Sequence, residues 1–99
     1  MQFVFDPGKD ATNLGKHGLS LAAAAELSWE AALVWLDDRA DYGEVRMVAL
    51  ALIGDMLFFV AFVDRESTRI IISLRRANRR EVNHDVKAIK EDQPEDADF

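Results

Sequence analysis

The chain has 99 residues, 49% of them hydrophobic, no cysteine, and a formal net charge of −6 at pH 7. This length indicates one domain, and this share of hydrophobic residues predicts a packed globule rather than a disordered chain. Without cysteine, the chain can form neither a disulfide nor a thiolate metal site.

The N-terminal part of the chain predicts one strand followed by two helices. Gln2–Phe5 fits a short strand, and the turn-forming residues "DPG" end it. Helical spacing predicts a short helix over 9–17, with Gly18 as its left-handed stop. Ser20 is a helix-capping residue before a run of alanines, which are the best helix formers. We therefore expect a second helix over 20–28.

The remainder of the chain predicts a meander of strands and then a helix. Residues 32–36 fit either an extension of the second helix or a strand, since Val34 and Trp35 favour strands. A polar loop follows over 37–44. Alternating or apolar runs then predict strands over 45–53, 56–63 and 69–74, with a two-residue hairpin turn at Gly54-Asp55. Helical periodicity predicts a last helix from Arg75 to about Lys90.

This order of elements predicts an α+β fold. We expect a small antiparallel sheet of four to five strands, with two N-terminal helices and a C-terminal helix on one face. The opposite face of such a sheet can stay open to a ligand. Residues 1–90 would form the single domain, and 91–99 an acidic, flexible tail.

No segment predicts export or membrane insertion. The first residues lack the basic segment and apolar core of a signal peptide. The longest apolar stretch, from Met47 to Val63, is interrupted by Gly54 and Asp55 and is too short for a membrane span. We therefore expect a cytoplasmic protein without membrane contact.

Positive charge is concentrated around the end of the last predicted strand. Residues 1–90 hold 12 basic and 13 acidic side chains, whereas 91–99 hold five acidic ones. Within 65–80 there are six arginines and a single acidic residue, Glu66. Cations beside the N–H groups of a helix start favour an anion, most often phosphate. The cluster fits either an anion site or a set of ion pairs with acidic residues of the helix and the tail.

Other polar residues are candidates for proton transfer or phosphate contact. His17 would end the first helix as a general base, a proton donor or a packed helix end. His84 lies two turns into the last helix, on the same side as Arg80. Glu44 and Arg46 are two residues apart at the start of a strand, so both side chains point to the same face of the sheet. They could act as a general base and a phosphate clamp, or they could form an ion pair. No metal-ligand spacing, phosphate-binding loop or nucleophile elbow occurs, so neither metal nor cofactor is expected.

Three segments together resemble BrnT-type toxins of bacterial type II toxin–antitoxin modules, which are similar in fold to RelE-like ribonucleases. The segments are "FDPGKDATNLGKHGLSLAAAAEL", "DDRADYGEVR" and "DRESTRIIISLRRANRREVNH", and they span about residues 3–84. They match the patterns N-x-x-KHG-[VL]-S, D-x-x-x-YGE-x-R and R-I-I-S-x-R-x-A-x-x-x-E. The chain departs from this family at His84, where a tyrosine is frequent, at Leu74, where alanine is usual, and in being acidic overall.

The resemblance implies a ribonuclease toxin neutralised by a cognate antitoxin. That partner would be a ribbon-helix-helix, BrnA-like protein, so that operator DNA is contacted only through the antitoxin. The family patterns assign functional roles to Lys16, His17, Glu44, Arg46, Arg69, Arg75, Arg76 and Glu81. The charge cluster adds Arg79 and Arg80 as substrate contacts beside Arg76, and His84 is added to the catalytic candidates in the tyrosine position.

The expected chemistry needs no metal, because RNA carries its own nucleophile in the 2′-hydroxyl beside the scissile phosphate. The general base would be Glu44, His17 or His84, and arginines would stabilise the transition state. His84 is a candidate donor for the leaving 5′-oxygen, and the product would be a 2′,3′-cyclic phosphate. The alternative is a module that binds a protein or nucleic acid and catalyses nothing.

Overall fold

The computed structural model describes residues 1–39, 41 and 43–92, and for 88–92 the backbone alone. The described part contains a five-stranded sheet, two α-helices and two short 3-10 helices. The strands are β1 (Gln2–Val4), β2 (Leu33–Leu36), β3 (Met47–Ile53), β4 (Met56–Arg65) and β5 (Thr68–Arg76). The helices are α1 (Pro7–His17), the 3-10 helices Leu21–Glu26 and Trp29–Ala31, and α2 (Arg79–Asp92). An α+β fold is therefore confirmed.

The sheet is mixed, with strand order β1-β5-β4-β3-β2. The hairpin at Gly54-Asp55 forms as predicted, since Ile53 pairs with Met56 across it. Residues 33–36 resolve as a strand paired with β3. The expectation of an antiparallel sheet was wrong at one edge, because β1 runs parallel to β5, with Gln2 opposite Thr68. Apolar alternation identifies a strand but carries no information about its direction.

The second predicted α-helix, over 20–28, was wrong in type. The chain forms a 3-10 helix there, and Leu21, Ala24 and Leu27 are all buried. Their spacing of three residues puts them on one line only if the helix has three residues per turn. Asp10 of α1 also accepts a hydrogen bond from the Leu21 N–H at 2.7 Å, which holds this helix against α1. Tertiary contacts thus outweigh the helix propensity of the alanines.

The two faces of the sheet differ in what covers them. We call one the helical face: the 3-10 helices pack on it, over Val60, Phe62, Ile71 and Leu74, while α1 contacts β5. The other, the second face, carries the buried side chains of Val48, Leu50, Phe59 and Ala61.

The last helix differs from its prediction in start and position. β5 continues to Arg76, which pairs with Phe58, so α2 begins at Arg79 and not at Arg75. Asn78 caps it, as its Oδ1 accepts from the Glu81 N–H at 2.9 Å. The first turns of α2 contact the second face, so the expectation that all helices share one face was also wrong.

A β-bulge interrupts the pairing of β4 with β5. Phe62 pairs with Ile71, whereas the preceding residue, Ala61, pairs with Ser73. Ile72 is therefore an extra residue on β5. Since side chains alternate along a strand, an extra residue reverses which side chains point to which face beyond it.

α1 is held against the edge of β5 by a buried asparagine. β1 pairs with β5 only as far as Ile70. Beyond it, Asn13 takes the place of a neighbouring strand: its Oδ1 accepts from the Leu74 N–H at 3.0 Å, and its Nδ2 donates to the Leu74 carbonyl at 2.8 Å. Nδ2 also donates to the Leu19 carbonyl at 2.9 Å. α1 begins at the capping carboxylate of Asp6, which accepts from the Lys9 N–H, and ends at Gly18 with φ 70°.

Of the helices in the described ranges, none has the length and hydropathy needed to cross a membrane. Residues 93–99, which form most of the predicted acidic tail, lie outside the described residues.

Candidate functional site

Arg75 is the central cation of the candidate site. Its Nη1 and Nη2 each donate to the Glu81 carboxylate at 2.8 Å, and Nη1 also donates to the Arg76 carbonyl at 3.2 Å. The guanidinium lies 4.3 Å from the ring centroid of Phe59, on the second face. A bidentate ion pair and a cation–π contact together fix the position of this group. The side chain stays 29% exposed, so a ligand can reach it.

Glu81 makes hydrogen bonds both to the end of β5 and to the start of α2. Besides accepting from Arg75, its carboxylate accepts from the Asn78 N–H at 2.9 Å, so Asn78 and Glu81 form a reciprocal capping box. Burial raises the pKa of Glu81, but the hydrogen bonds from Arg75 and Asn78, with the charges of Arg75 and Arg39, outweigh it and lower the pKa below 4.5. Glu81 therefore stays ionised and acts as an anchor for Arg75.

Arg39 is a second cation at this site that the sequence patterns did not single out. It follows β2, and its guanidinium lies 5.6 Å from the Phe59 ring centroid. The buried carboxylate of Asp37 accepts from its Nε at 2.7 Å and its Nη2 at 2.8 Å. In the sequence it belongs to a polar loop, and nothing in that loop indicates a contact with a strand 20 residues later.

A cavity of about 480 Å³ lies between β2 and α2, and we call it the β2–α2 cavity. Its apolar walls include Leu33, Trp35 and Leu50, and its polar lining is Arg80, Glu81 and His84. The Trp35 and His84 rings meet edge to face, with centroids 5.7 Å apart. The sequence prediction that His84 and Arg80 share a side of the helix holds in this lining.

A second cavity, of about 350 Å³, lies beside α1, and we call it the α1 cavity. Lys16 and His17 line it from the last turn of α1, and both side chains are exposed. Ser73 lines it from β5. Further polar residues of its lining are Asp6, Lys9, Thr12 and Asn13.

The two cavities flank Arg75. Ser73 and Arg75 are two residues apart beyond the bulge, so they share the second face with about 7 Å between their Cα atoms. On the other side, Glu81 both binds Arg75 and lines the β2–α2 cavity. We call the stretch from Lys16 and His17, past Arg75, to Arg80 and His84 the candidate surface.

Arg69 is not part of this surface. It is six residues before Arg75 and would share its face in a regular strand, but the bulge puts it on the helical face. Its Nε and Nη2 donate to Asp64 at 2.7 and 2.8 Å, and its guanidinium lies 4.4 Å from both the Trp29 and Phe62 rings. Only 17% of the side chain is exposed, so these contacts make it part of the packing.

Glu44 lies at the opposite end of the sheet. Its carboxylate accepts from Arg65 at 2.6 Å. Arg65 ends β4 opposite Thr68, whereas Arg75 lies opposite Phe59, six residues or about 20 Å back along β4. Glu44 therefore lies far from Arg75.

The other predicted arginines divide between buried and exposed positions. Arg46 precedes β3 with a half-buried side chain, and its carbonyl accepts from the Asp37 N–H at 2.8 Å. Arg76 ends β5 and Arg79 opens α2, both exposed. The structure thus places Lys16 and His17 at the α1 cavity and Arg80 and His84 at the β2–α2 cavity, with Arg75 two residues from Ser73 and bound to Glu81, and it leaves Glu44 and Arg69 apart from them.

Comparison with protein families identifies the family of the chain. A family model described as a ribonuclease toxin, BrnT, of a type II toxin–antitoxin system matches residues 5–81. The curated proteins that were compared include no match to the chain. The matched span contains Lys16, His17, Arg75 and Glu81, while His84 lies just outside it. Membership in a type II system implies an antitoxin as partner. The resemblance seen in the sequence is confirmed, and the chain belongs to the BrnT family of ribonuclease toxins.

Proposed function

We propose that this chain is a metal-independent endoribonuclease that cuts RNA by attack of the 2′-hydroxyl on the adjacent phosphate. The products would be a 2′,3′-cyclic phosphate and a 5′-hydroxyl. The antitoxin, in our proposal a ribbon-helix-helix protein, would stop the reaction by covering the site. The observation that carries the proposal is the fixed guanidinium of Arg75, which lies two residues along β5 from Ser73, a residue of the cavity that Lys16 and His17 line.

Arg75 is prepared to bind the scissile phosphate. An arginine has five N–H groups, and three of those of Arg75 donate to Glu81 and to the Arg76 carbonyl. The Nε–H and one Nη2–H remain for a phosphate. Because Glu81 and Phe59 already hold the guanidinium, binding the phosphate requires little rearrangement. A preorganised cation of this kind stabilises the additional negative charge of the transition state.

His17 is the proposed proton-transfer residue, since it lines the same cavity as Ser73, two positions from Arg75. It would take the proton from the 2′-hydroxyl, while Lys16 stabilises the charge on the phosphate oxygens. The leaving 5′-oxygen needs a proton from a second donor, and His84, at the other end of the surface, is the candidate. Glu44 is the weaker candidate for the base because of its pairing with Arg65 and its distance from Arg75.

Substitution of Arg75 tests the proposal. Arg75→Ala is expected to lower kcat for RNA cleavage about 100-fold or more, the usual cost of removing a preorganised transition-state donor. Arg75→Lys keeps the charge but cannot form the bidentate pair, so it should also lose most activity. Lys87→Ala, which removes an exposed cation of α2 that has no assigned role, is the matched control and should keep activity within a few-fold. Urea unfolding of each variant shows whether a loss of cleavage activity is caused by a loss of folding stability.

Two further measurements complete the test. Cleavage should be unchanged by a chelator, and the 3′ product end should be a cyclic phosphate. Growth arrest on expression should be reversed by co-expression of the antitoxin. Cleavage that requires a divalent cation, or full activity of Arg75→Ala, would contradict the proposal. Binding of RNA without any cleavage would instead favour the non-catalytic binding module.

A further inference from the structure

The β2–α2 cavity has the chemistry of a site for a flat, uncharged ring attached to an anionic chain. Its walls are the apolar side chains of Leu33 and Leu50 and the indole of Trp35, and its volume of about 480 Å³ is within the range of small-ligand sites. Arg80 and His84 line it from α2. Apolar walls with an arginine at the rim, beside the Glu81 carboxylate, match a nucleobase together with the phosphate it is linked to.

Trp35 is suited to stacking. It lies on β2, the edge strand of the sheet, and 36% of the side chain is exposed. His84 meets it at an interplanar angle of 68°, so the two rings are not stacked face to face. Exposed aromatic rings beside arginines are the usual means by which proteins hold unpaired bases.

The position of the cavity relative to Arg75 supports the same ligand. Glu81 lines the cavity and binds Arg75 directly. A phosphate at Arg75 would therefore leave a neighbouring nucleotide next to the cavity, and Arg80 is available at the rim for another phosphate. We infer that the β2–α2 cavity binds one unpaired base of the RNA by stacking on Trp35. This inference rests on the proposed function, and it makes single-stranded RNA the substrate, because a duplex keeps its bases stacked inside.

The test measures binding separately from cleavage. The probe is a short fluorescent RNA with 2′-O-methyl groups throughout, which has no nucleophile and is not cut, and affinity is read from fluorescence anisotropy. Trp35→Ala should weaken binding roughly 10-fold, since stacking contributes about 5- to 150-fold in affinity per base. Trp35→Phe keeps an aromatic face and should stay within about threefold. Leu36→Ala is the matched control, since Leu36 is the next exposed apolar residue of β2 and points to the other face.

A second comparison uses the unaltered protein. A set of probes, each with one abasic position, should contain one probe that binds the wild type about as weakly as Trp35→Ala binds the intact RNA. The same probe should cause no further loss in Trp35→Ala. The intact strand paired to its complement should bind weakly to both proteins.

Three outcomes would decide against the inference. They are equal RNA affinity of wild type and Trp35→Ala, equal affinity for all abasic probes, or a Trp35→Ala defect confined to antitoxin binding. The last would identify the cavity as a protein-docking site. If the wild type binds the probes through Trp35 but cuts no unmodified RNA, the inference holds and the proposed enzyme activity fails.

Discussion

At the scale of single residues, Glu81 shows how one carboxylate can hold both a helix and a catalytic candidate. It closes the capping box with Asn78 and fixes the guanidinium of Arg75. Any change at Glu81 therefore affects both where α2 begins and how Arg75 is presented. The sequence pattern indicated Glu81 as a family match, but only the structure shows that its partner is Arg75 and not the neighbouring arginines.

The lowered pKa of Glu81 predicts a pH-dependent stability difference. A carboxyl group with a lower pKa in the folded state contributes stability above its unfolded pKa and loses it as the pH falls through the folded one. Wild type should thus be more stable than Glu81→Gln near pH 7, and the gap should shrink below about pH 4.5. This stability difference is measured from the urea unfolding midpoints of both proteins at pH 7 and at pH 3.

The control for this measurement is Asp55→Asn, which changes an exposed carboxylate in the β3–β4 turn. It should shift the midpoint little at either pH. A gap between wild type and Glu81→Gln that stays constant across this range would contradict the account of the Arg75 pair.

At the scale of elements, the attachment of α1 to β5 depends on the side-chain amide of Asn13. Its side chain accepts a hydrogen bond from the Leu74 N–H and donates hydrogen bonds to the carbonyls of Leu74 and Leu19. Because Lys16 and His17 lie one turn further along α1, the same attachment sets their position beside Ser73. The side chain of Asn13 is thus an anchor both for the packing of α1 and for the positions of the candidate catalytic residues.

Asn13→Ala is therefore expected to lower both stability and activity. Leaving buried backbone groups without partners costs about 1–3 kcal/mol each, so a loss of roughly 3 kcal/mol is reasonable. Urea unfolding measures the stability, and RNA cleavage of the folded fraction measures the activity. Thr12→Val is the control: its exposed hydroxyl donates only to the Gly8 carbonyl of its own helix, so little stability should be lost. An Asn13→Ala protein with wild-type stability would contradict this view of the anchor.

Elements were predictable where local chemistry determines them. The β3–β4 hairpin follows from Gly54-Asp55 between apolar runs, and the end of α1 follows from Gly18. The parallel pairing of β1, the 3-10 winding at Leu21–Glu26 and the bulge at Ile72 depend on contacts between distant segments. Such contacts leave no periodic pattern in the residues themselves.

At the scale of the whole molecule, the candidate site is positive although the chain is acidic. The sequence predicted that Arg80 and His84 share a side of the last helix, and both line the β2–α2 cavity. It missed Arg39, which reaches Phe59 from the segment after β2. The family patterns gave roles to both Arg69 and Arg75, but a sequence pattern does not show that the bulge puts them on different faces of the sheet. The residue types indicated which chemistry to expect, whereas the register of the strands determines which side chains lie close together.

Net charge predicts how the chain approaches RNA. Residues 93–99 include Glu95, Asp96 and Asp98. A chain ending at Asp92 should associate with RNA several-fold faster at low salt, because less negative charge repels the phosphates. The difference should fade near 1 M salt, where charges are screened within about 3 Å. Stopped-flow association with the fluorescent probe measures it.

A full-length variant with Glu95→Gln, Asp96→Asn and Asp98→Asn separates charge from length. It should behave like the shortened chain if repulsion is the cause. Equal association rates for wild type and this variant at low salt would exclude the electrostatic explanation.

The extra residue at Ile72 has a consequence for genetics. It divides β5 so that Arg69, before it, is packed against aromatic rings, whereas Arg75, after it, lies on the exposed surface. In a selection for surviving cells, substitutions ahead of the insertion should yield chains that fail to accumulate. Substitutions of Arg75, behind it, should yield abundant, harmless protein. Suppressor mutations in β5 would thus fall into two groups: those that prevent the protein from accumulating and those that remove its toxicity.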